Sequence, residues 1–141
     1  GTAFTATGAI DWSVLMIALP VGLITDGILH SNNTRDMVTD KRAEIKTMAM
    51  GLGKKISAFL YGFEVIFPFV WVGILSILVY MPVGTVIIFL TLPIAIGCAK
   101  TMKNSVTGGQ ALIADLDVRT ANLQLMFSTL LTISLIISRF L

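Results

Sequence analysis

Residues 56–80 read ISAFLYGFEVIFPFVWVGILSILVY, a run of 25 residues in which Glu64 is the only charged residue. A membrane-spanning helix needs about 20 mainly apolar residues to cross roughly 30 Å of hydrocarbon. Three further apolar runs of similar length occur in the chain, and none of the four alternates in polarity as the strands of a membrane β-barrel do. The sequence therefore predicts one all-α membrane domain over 1–141, with four transmembrane helices near 12–31, 56–80, 81–99 and 121–140.

The composition excludes the main soluble classes of protein. Of the 141 residues, 55% are hydrophobic and 13% are charged, and the mean hydropathy is +0.89. A soluble globular domain carries roughly a quarter charged residues. The net charge of +2 is too small to indicate binding to nucleic acid, and the single cysteine, Cys98, excludes a disulfide framework or a multi-cysteine metal site. We therefore expect the lipid bilayer as a partner, and no nucleic acid.

The distribution of basic residues predicts the orientation of the bundle. A tight Pro-Gly turn joins the second and third apolar runs, whereas long polar segments at 30–55 and 100–121 form the other two connections. Both segments lie on one side of a four-helix arrangement, and they hold nine of the ten Lys and Arg residues, all but Arg139. The positive-inside rule places this side in the cytoplasm or an organelle matrix, for a protein of a bacterial inner membrane or an organelle membrane. Trp12 and Tyr80 are then expected at the opposite interface.

The segment 26–42, DGILHSNNTRDMVTDKR, carries the most informative polar residues. Asn32, Asp36 and Asp40 are spaced by four, so in a continuing helix each turns about 40° from the last and all three share one face. Mg²⁺ prefers oxygen ligands and typically uses one or two carboxylates together with substrate phosphates. The spacing therefore favours a site for a metal-bound diphosphate. The alternative is a solvated charged segment of the kind that the positive-inside rule produces.

Neighbouring side chains extend this candidate site in two directions. Basic residues that are suited to neutralising phosphate oxygens surround it, namely Arg35, Lys41, Arg42 and Lys46. Asn33 adds an amide beside Asn32, and the positive-inside rule, which concerns only Lys and Arg, does not account for it. Asp26 and His30, one turn apart, continue the polar stripe into the membrane, where an ionisable group indicates a functional cavity by default.

Other polar and aromatic residues leave alternatives open. Glu64 is either a buried carboxyl paired with a lysine or histidine, or a group that lines a cavity for an acceptor substrate. Asp115 and Asp117 are interpreted as loop charges or a helix cap, and Arg119 either reaches a phosphate or snorkels to the interface. Several phenylalanines either line a tunnel for an isoprenoid chain or face lipid and neighbouring helices: Phe59, Phe63, Phe67, Phe69 and Phe89.

The run at 28–40, ILHSNNTRDMVTD, resembles the second Asp-rich motif of the UbiA superfamily of intramembrane prenyltransferases. Its NNxRDxxxD pattern is similar to the menaquinone/vitamin K branch, which contains 1,4-dihydroxy-2-naphthoate prenyltransferases and animal UbiA-domain relatives. Ala43, Thr47 and Ala49 continue the pattern, and the Arg-Thr-Ala run at 119–121 resembles the one before that branch's last helix.

This resemblance implies a fold of nine transmembrane helices around a central cavity, of which the four helices here match the last four. It also implies Mg²⁺ as cofactor, a prenyl diphosphate as donor and a naphthoate or naphthoquinone ring as acceptor. Asp36, Asp40 and Arg35 are the implied catalytic residues, and Asp36, Asp40 and Asn32 the metal ligands. Asn32 belongs also to the candidate substrate-binding set, whose other members are Asn33, Arg42, Lys46, His30, Asp26 and Arg119.

The chain also departs from the family pattern. The first Asp-rich motif does not occur in it, so we expect another membrane segment or chain to supply that motif. Glu44 stands where the branch usually has glycine, and Ile45 stands in place of the following lysine. The chain starts at Gly1 without the basic region of a signal peptide, so it is expected to be processed or a fragment.

Three functional hypotheses follow. The first is the C-terminal half of a naphthoate-type prenyltransferase. The second is a truncated, inactive relative that serves as a structural subunit of a larger membrane complex. The third, a transporter or channel segment, is suggested only by Asp26 and Glu64 and lacks support from an internal repeat.

Overall fold

The computed structural model describes residues 2–78 and 81–140, and the regular structure within them is entirely helical. Four segments there are long and apolar enough to cross a membrane, which confirms the prediction of an all-α polytopic bundle. These segments are Trp12–Arg35, Met48–Ile77, Val83–Gly108 and Gln110–Ile137. The α-helices are α1 (Thr2–Thr7), α2 (Trp12–Arg35), α3 (Met37–Arg42), α4 (Met48–Ile77), α5 (Leu92–Gly108) and α6 (Leu116–Ile137). Two 3₁₀ segments, Val83–Thr91 and Gln110–Ile113, precede α5 and α6.

The helices continue well into the two polar segments that were expected to be loops. Capping side chains mark several of the ends: Asp11 accepts a hydrogen bond from Ser13 N at the start of α2, and Thr47 accepts one from Met50 N at the start of α4. The hydrogen bonds from Ser13 also lower the pKa of the Asp11 carboxyl. Hydropathy detects the part of a helix that contacts lipid, whereas capping determines where the helix ends. The helices therefore project beyond their apolar runs.

Prolines and one glycine shape the backbone of the first three spans. Pro20 and Pro68 lie inside helices that continue past them, and the non-helical residue within α4 is Gly53, with φ +76°. That left-handed conformation strains any residue with a Cβ, so glycine permits the bend there. Pro93 lies in the first turn of α5, where its missing N–H costs no helical hydrogen bond.

The four spans pack antiparallel around a common core. His30 on α2 meets Glu64 on α4, and near the other end Trp71 Nε1 donates to the Met16 carbonyl oxygen at 2.9 Å. On the far side of the bundle, Arg119 on α6 donates to Thr101 on α5. The C-terminal ends of α2 and α5 therefore lie at the same end of the bundle as the N-terminal ends of α4 and α6. We call this the basic end, because nine of the ten basic residues cluster there.

The core is apolar with a few polar side chains inside it. Phe69 packs edge-on against Phe127, with ring centroids 5.2 Å apart, and Val65 and Leu123 are fully buried. Large apolar residues such as Ile77, 81% exposed, cover the outside, as expected for a surface in contact with lipid. Trp12 is 70% exposed at the end opposite the basic end, and Tyr80 lies outside the described residues.

Candidate functional site

The three oxygen-bearing residues of the candidate site lie along one nearly continuous helical path. Asp36 ends α2 and begins α3, yet its N–H donates to the Asn32 carbonyl oxygen at 2.9 Å. The Asp40 N–H in turn donates to the Asp36 carbonyl oxygen at 2.8 Å. These two bonds keep the helical i to i−4 pattern across the junction, so the three side chains follow one another at single-turn intervals. All three are half-buried.

Arg35 makes most of the polar side-chain contacts around Asn32 and Asp36. Its guanidinium binds both carboxylate oxygens of Asp36, through Nε to Oδ1 at 2.9 Å and Nη2 to Oδ2 at 3.1 Å. Nη2 also donates to the side-chain oxygen of Asn32. Nη1 donates to Asp117 Oδ2 in the first turn of α6 at 2.8 Å, and to the carbonyl oxygen of Ala114, just before α6, at 3.2 Å. Arg35 therefore holds the candidate ligands in place and fastens the end of α2 to the start of α6.

A second polar contact lies deeper in the bundle. His30 Nδ1 is 2.9 and 3.0 Å from the two carboxylate oxygens of Glu64, and the two side chains are 1% and 8% exposed. The other ring nitrogen of His30, Nε2, is buried and has no hydrogen-bond partner within the described part of the chain. Tyr61 presents its ring edge-on to the imidazole, with centroids 6.3 Å apart, and its hydroxyl lies 2.6 Å from Thr120 Oγ1. Glu64 is thus the buried, histidine-paired carboxyl of the first alternative above.

A glycine permits this close packing. A Cβ added at Gly27 would lie 3.3 Å from Val65 Cγ1 and 3.7 Å from Glu64 Oε2. The first distance is shorter than an ordinary van der Waals contact between carbon atoms. The absence of a side chain at this position of α2 therefore lets α4 approach closely beside the His30–Glu64 pair.

The remaining predicted site residues lie apart from these two clusters. Asp26 is exposed on α2, although it is only one turn from the buried His30. Asn33 is half-buried, and Arg42 and Lys46 are exposed, with no ion pair from these side chains within residues 2–78 and 81–140. Arg119 is directed to α5, where Nη1 donates to Thr101 Oγ1 at 3.2 Å. The structure therefore joins Asn32, Asp36 and Arg35 in one cluster and His30 with Glu64 in another.

Asp117 also belongs to this site, although the sequence did not predict it there. We interpreted it as a loop charge or cap, but it lies in the first turn of α6 and forms an ion pair with Arg35. Its second carboxylate oxygen, Oδ1, is buried without a partner among the described residues. Gln110 also contributes, because its Nε2 donates to the Thr34 carbonyl oxygen at 3.3 Å. The sequence did carry a signal for this contact: Asp117 is an acidic residue in the first turn of α6, and the polar segment before that helix is basic.

The donor set is suited to a hard cation that brings part of its own coordination shell. Asn32, Asp36 and Asp40 offer oxygen atoms only, which Mg²⁺ prefers. No group of three or more His, Cys, Asp or Glu side chains able to hold a metal ion occurs in the part of the chain that the structure describes. Mg²⁺ commonly uses one or two carboxylates with waters and substrate phosphates, so two carboxylates fit a metal–diphosphate better than a free ion.

Comparison with known proteins identifies the family. The model of the UbiA prenyltransferase family matches residues 1–113 of the 141-residue chain. The chain belongs to the UbiA prenyltransferase family. The human UbiA prenyltransferase domain-containing protein 1 is 31% identical over 124 residues, which are 88% of this chain and 34% of the relative. No solved structure matches the chain.

Two other relatives show the same partial coverage. The Drosophila melanogaster homologue of that UbiA protein is 44% identical over 63 residues, or 45% of this chain and 18% of the relative. The Danio rerio protein is 41% identical over 81 residues, or 57% of this chain and 24% of the relative. The chain therefore spans about a third or less of the UbiA relatives that it matches.

The backbone conformation of Glu44 can be compared with the residue that the UbiA pattern has at this position. Glu44 has φ +59°, in the left-handed region that favours glycine. This is the position where the menaquinone-like pattern usually has glycine. The chain therefore adopts a glycine-type conformation here with a residue that is strained in it.

Proposed function

We propose that this chain supplies the second Asp-rich half of an intramembrane prenyltransferase, which transfers an isoprenoid chain from a prenyl diphosphate to an aromatic ring. The observation that carries the proposal is the helical path through Asn32, Asp36 and Asp40, which aligns one amide and two carboxylates at the basic end of a membrane bundle. Membership of the UbiA prenyltransferase family supports it.

In this proposal the chain's own residues hold the diphosphate end of the donor. Asp36 and Asp40 are the metal ligands, with Asn32 as a third oxygen donor. When bound, Mg²⁺ would offset the charge of the phosphate oxygens and favour departure of the diphosphate. Arg35 positions Asp36 and Asn32 through the contacts described above, and Arg42 and Lys46 are exposed cations free to contact phosphate oxygens.

The chemical step is transfer of an allylic group to carbon. The allylic C–O bond breaks and its electron pair leaves with the diphosphate. A ring carbon of the acceptor then forms a C–C bond to the allylic carbon, and the ring loses a proton. A dry, charge-complementary site favours such a step because it stabilises charge that develops during reaction. We propose a naphthoate or naphthoquinone ring as acceptor, with His30 on the acceptor side because its buried Nε2 is available.

Two further parts of the proposal concern the surroundings of the site. The first Asp-rich motif is supplied by another membrane segment or chain, which completes the nine-helix arrangement with these four helices as the last four. The basic end faces the cytoplasm or matrix, because nine of the ten basic residues lie there.

The test is a prenyl-transfer assay on the complete protein in detergent, with a prenyl diphosphate and 1,4-dihydroxy-2-naphthoate. We expect activity that is lost with a chelator and restored by Mg²⁺. Asp36→Asn and Asp40→Asn should each lower kcat/KM by about 100-fold or more, since each removes a carboxylate that would hold the Mg²⁺ bound to the diphosphate. Asp115→Asn is the matched control, because Asp115 is an exposed acid at the same end whose side chain caps nothing.

Two outcomes would contradict the proposal. The first is Mg²⁺-dependent activity that is unchanged in both carboxylate variants. The second is an inactive protein that co-purifies stoichiometrically with a larger membrane assembly. That second outcome would instead support the role of a structural subunit.

A further inference from the structure

A long groove runs between α4 and α5 on the side of the bundle away from the Arg35 cluster. Its cavity volume is about 1070 Å³. Phenylalanine rings from α4 form one wall, and Ile96 and Ala99 of α5 form the other. Phe63 and Phe67 stack on each other in this wall, with centroids 4.7 Å apart, and Phe59 is 74% exposed. Most of the groove therefore offers an apolar surface.

The basic end of the groove is positively charged. Lys55 of α4 and Lys100 and Lys103 of α5 line it, and all three are exposed. No acidic residue lines the groove, and none of the salt bridges within the described residues involves these lysines. Three positive charges from two helices therefore meet at one end of an apolar groove without a carboxylate from this chain beside them.

The length of the groove corresponds to one leaflet of a bilayer. Its α4 wall extends from Lys55 to Val70, and 15 residues at 1.5 Å rise give about 22 Å. Half of a bilayer of 40–45 Å, including headgroups, is also roughly 20–22 Å. A molecule with a phosphate at the basic end would therefore have its apolar chains along the phenylalanine wall.

We propose that this groove binds an anionic phospholipid, with its phosphate headgroup at Lys55, Lys100 and Lys103 and an acyl chain along Phe59, Phe63 and Phe67. Basic pockets between membrane helices on the cytoplasmic or matrix side are suited to anionic headgroups. An apolar helix, whether from the proposed completing segment or from another protein, would leave the lysines without a counter-charge, and a soluble phosphate would leave the phenylalanine wall unused. The groove involves α4 and α5 only, so it is separate from Asp36 and independent of the proposed function.

The test compares two lipids that differ only in headgroup. The complete protein, purified in detergent, is mixed with equal amounts of dioleoyl phosphatidylglycerol and dioleoyl phosphatidylcholine, and bound lipids are counted by native mass spectrometry. We expect a preference of roughly tenfold to a hundredfold for the anionic lipid, given the usual contribution of each lysine near an anionic headgroup. Neither Mg²⁺ nor a prenyl diphosphate is present, so the result does not depend on prenyl transfer.

Matched variants assign the binding to the groove. Lys55→Gln should reduce the preference several-fold, and Lys54→Gln, which changes an exposed neighbour that does not line the groove, should leave it unchanged. Gly62→Leu should lower binding by filling the groove. No atom lies within 4 Å of a Cβ at Gly62, so the added side chain starts in open space, and a Tm that is not lowered would show that the protein is folded.

Several results would overturn the proposal. Equal binding of the two lipids would exclude recognition of the headgroup. An equal effect of Lys54→Gln and Lys55→Gln would indicate general surface charge instead of a defined site. Displacement of the anionic lipid by a prenyl diphosphate, combined with loss of prenyl transfer in Gly62→Leu, would identify the groove as part of the substrate path.

Discussion

The buried contact between His30 and Glu64 makes a quantitative prediction about stability. Both side chains are almost fully enclosed, and Nδ1 of His30 contacts both carboxylate oxygens at 2.9 and 3.0 Å. Replacing Glu64 by Leu leaves His30 with two unpartnered ring nitrogens, and replacing His30 by Leu leaves a buried carboxyl alone. A buried polar group without its partner costs about 1–3 kcal/mol, and a broken buried ion pair about 3–5 kcal/mol.

We therefore expect Glu64→Leu and His30→Leu each to lower the free energy of unfolding by about 3 kcal/mol, a factor of roughly 150 in the folding equilibrium. The double variant should cost no more than either single variant, because apolar residues then meet each other. The coupling energy between the two positions is thus expected to be at least about 3 kcal/mol.

The assay is reversible unfolding in mixed micelles, followed by the fluorescence of Trp71. This indole donates to the Met16 carbonyl oxygen, so it reports on the same contact between α2 and α4. Asp26→Leu is the control: its carboxyl is exposed one turn before His30, and we expect a change of less than about 0.5 kcal/mol. Additive costs in the double variant would refute the pairing on which the prediction rests.

Three further predictions concern strain, packing and surface charge. Glu44→Gly should stabilise the protein by about 0.5–1 kcal/mol in the same unfolding assay, because relief of the left-handed strain exceeds the added chain entropy, whereas Glu44→Ala should give no gain. Gly27→Ala should cost about 1 kcal/mol, because its Cβ would lie 3.3 Å from Val65 Cγ1, and the cost should be smaller in a Val65→Ala background. A double-mutant cycle on Arg35 and Asp117, which are 28% and 20% exposed, should give about 0.5–1 kcal/mol and decrease at 1 M salt; a salt-independent value would contradict a solvent-screened pair.

Local periodicity was sufficient to predict that there are four apolar spans and that Asn32 aligns with Asp36 and Asp40. Both depend on the repeat of a single helix, which the sequence shows directly. The prediction also required the helix to continue beyond the apolar run, and the bond from the Asp36 N–H to the Asn32 carbonyl oxygen shows that it does. The helix ends themselves depend on caps such as Thr47, which hydropathy does not detect.

Contacts between distant residues were harder to predict. Arg35 and Asp117 are 82 positions apart, and they meet only because α2 and α6 pack antiparallel at the basic end. Glu64 had two open interpretations, and the identity of its partner depended on which residue of α2 lay at the same depth. Arg119 is directed to Thr101 by the rotation of α6 about its own axis, which the spacing of charges does not determine.

The position of Arg35 has a consequence for how a cation would bind at Asp36. The Arg35 guanidinium already neutralises the Asp36 carboxylate, so it occupies the place that a bound cation would take. An ion that takes over Asp36 has to displace that tethered charge, and the freed guanidinium keeps its hold on α6 through Asp117. Loading of the site would then be an exchange of partners at Asp36, which avoids exposing a bare acid beside the hydrocarbon.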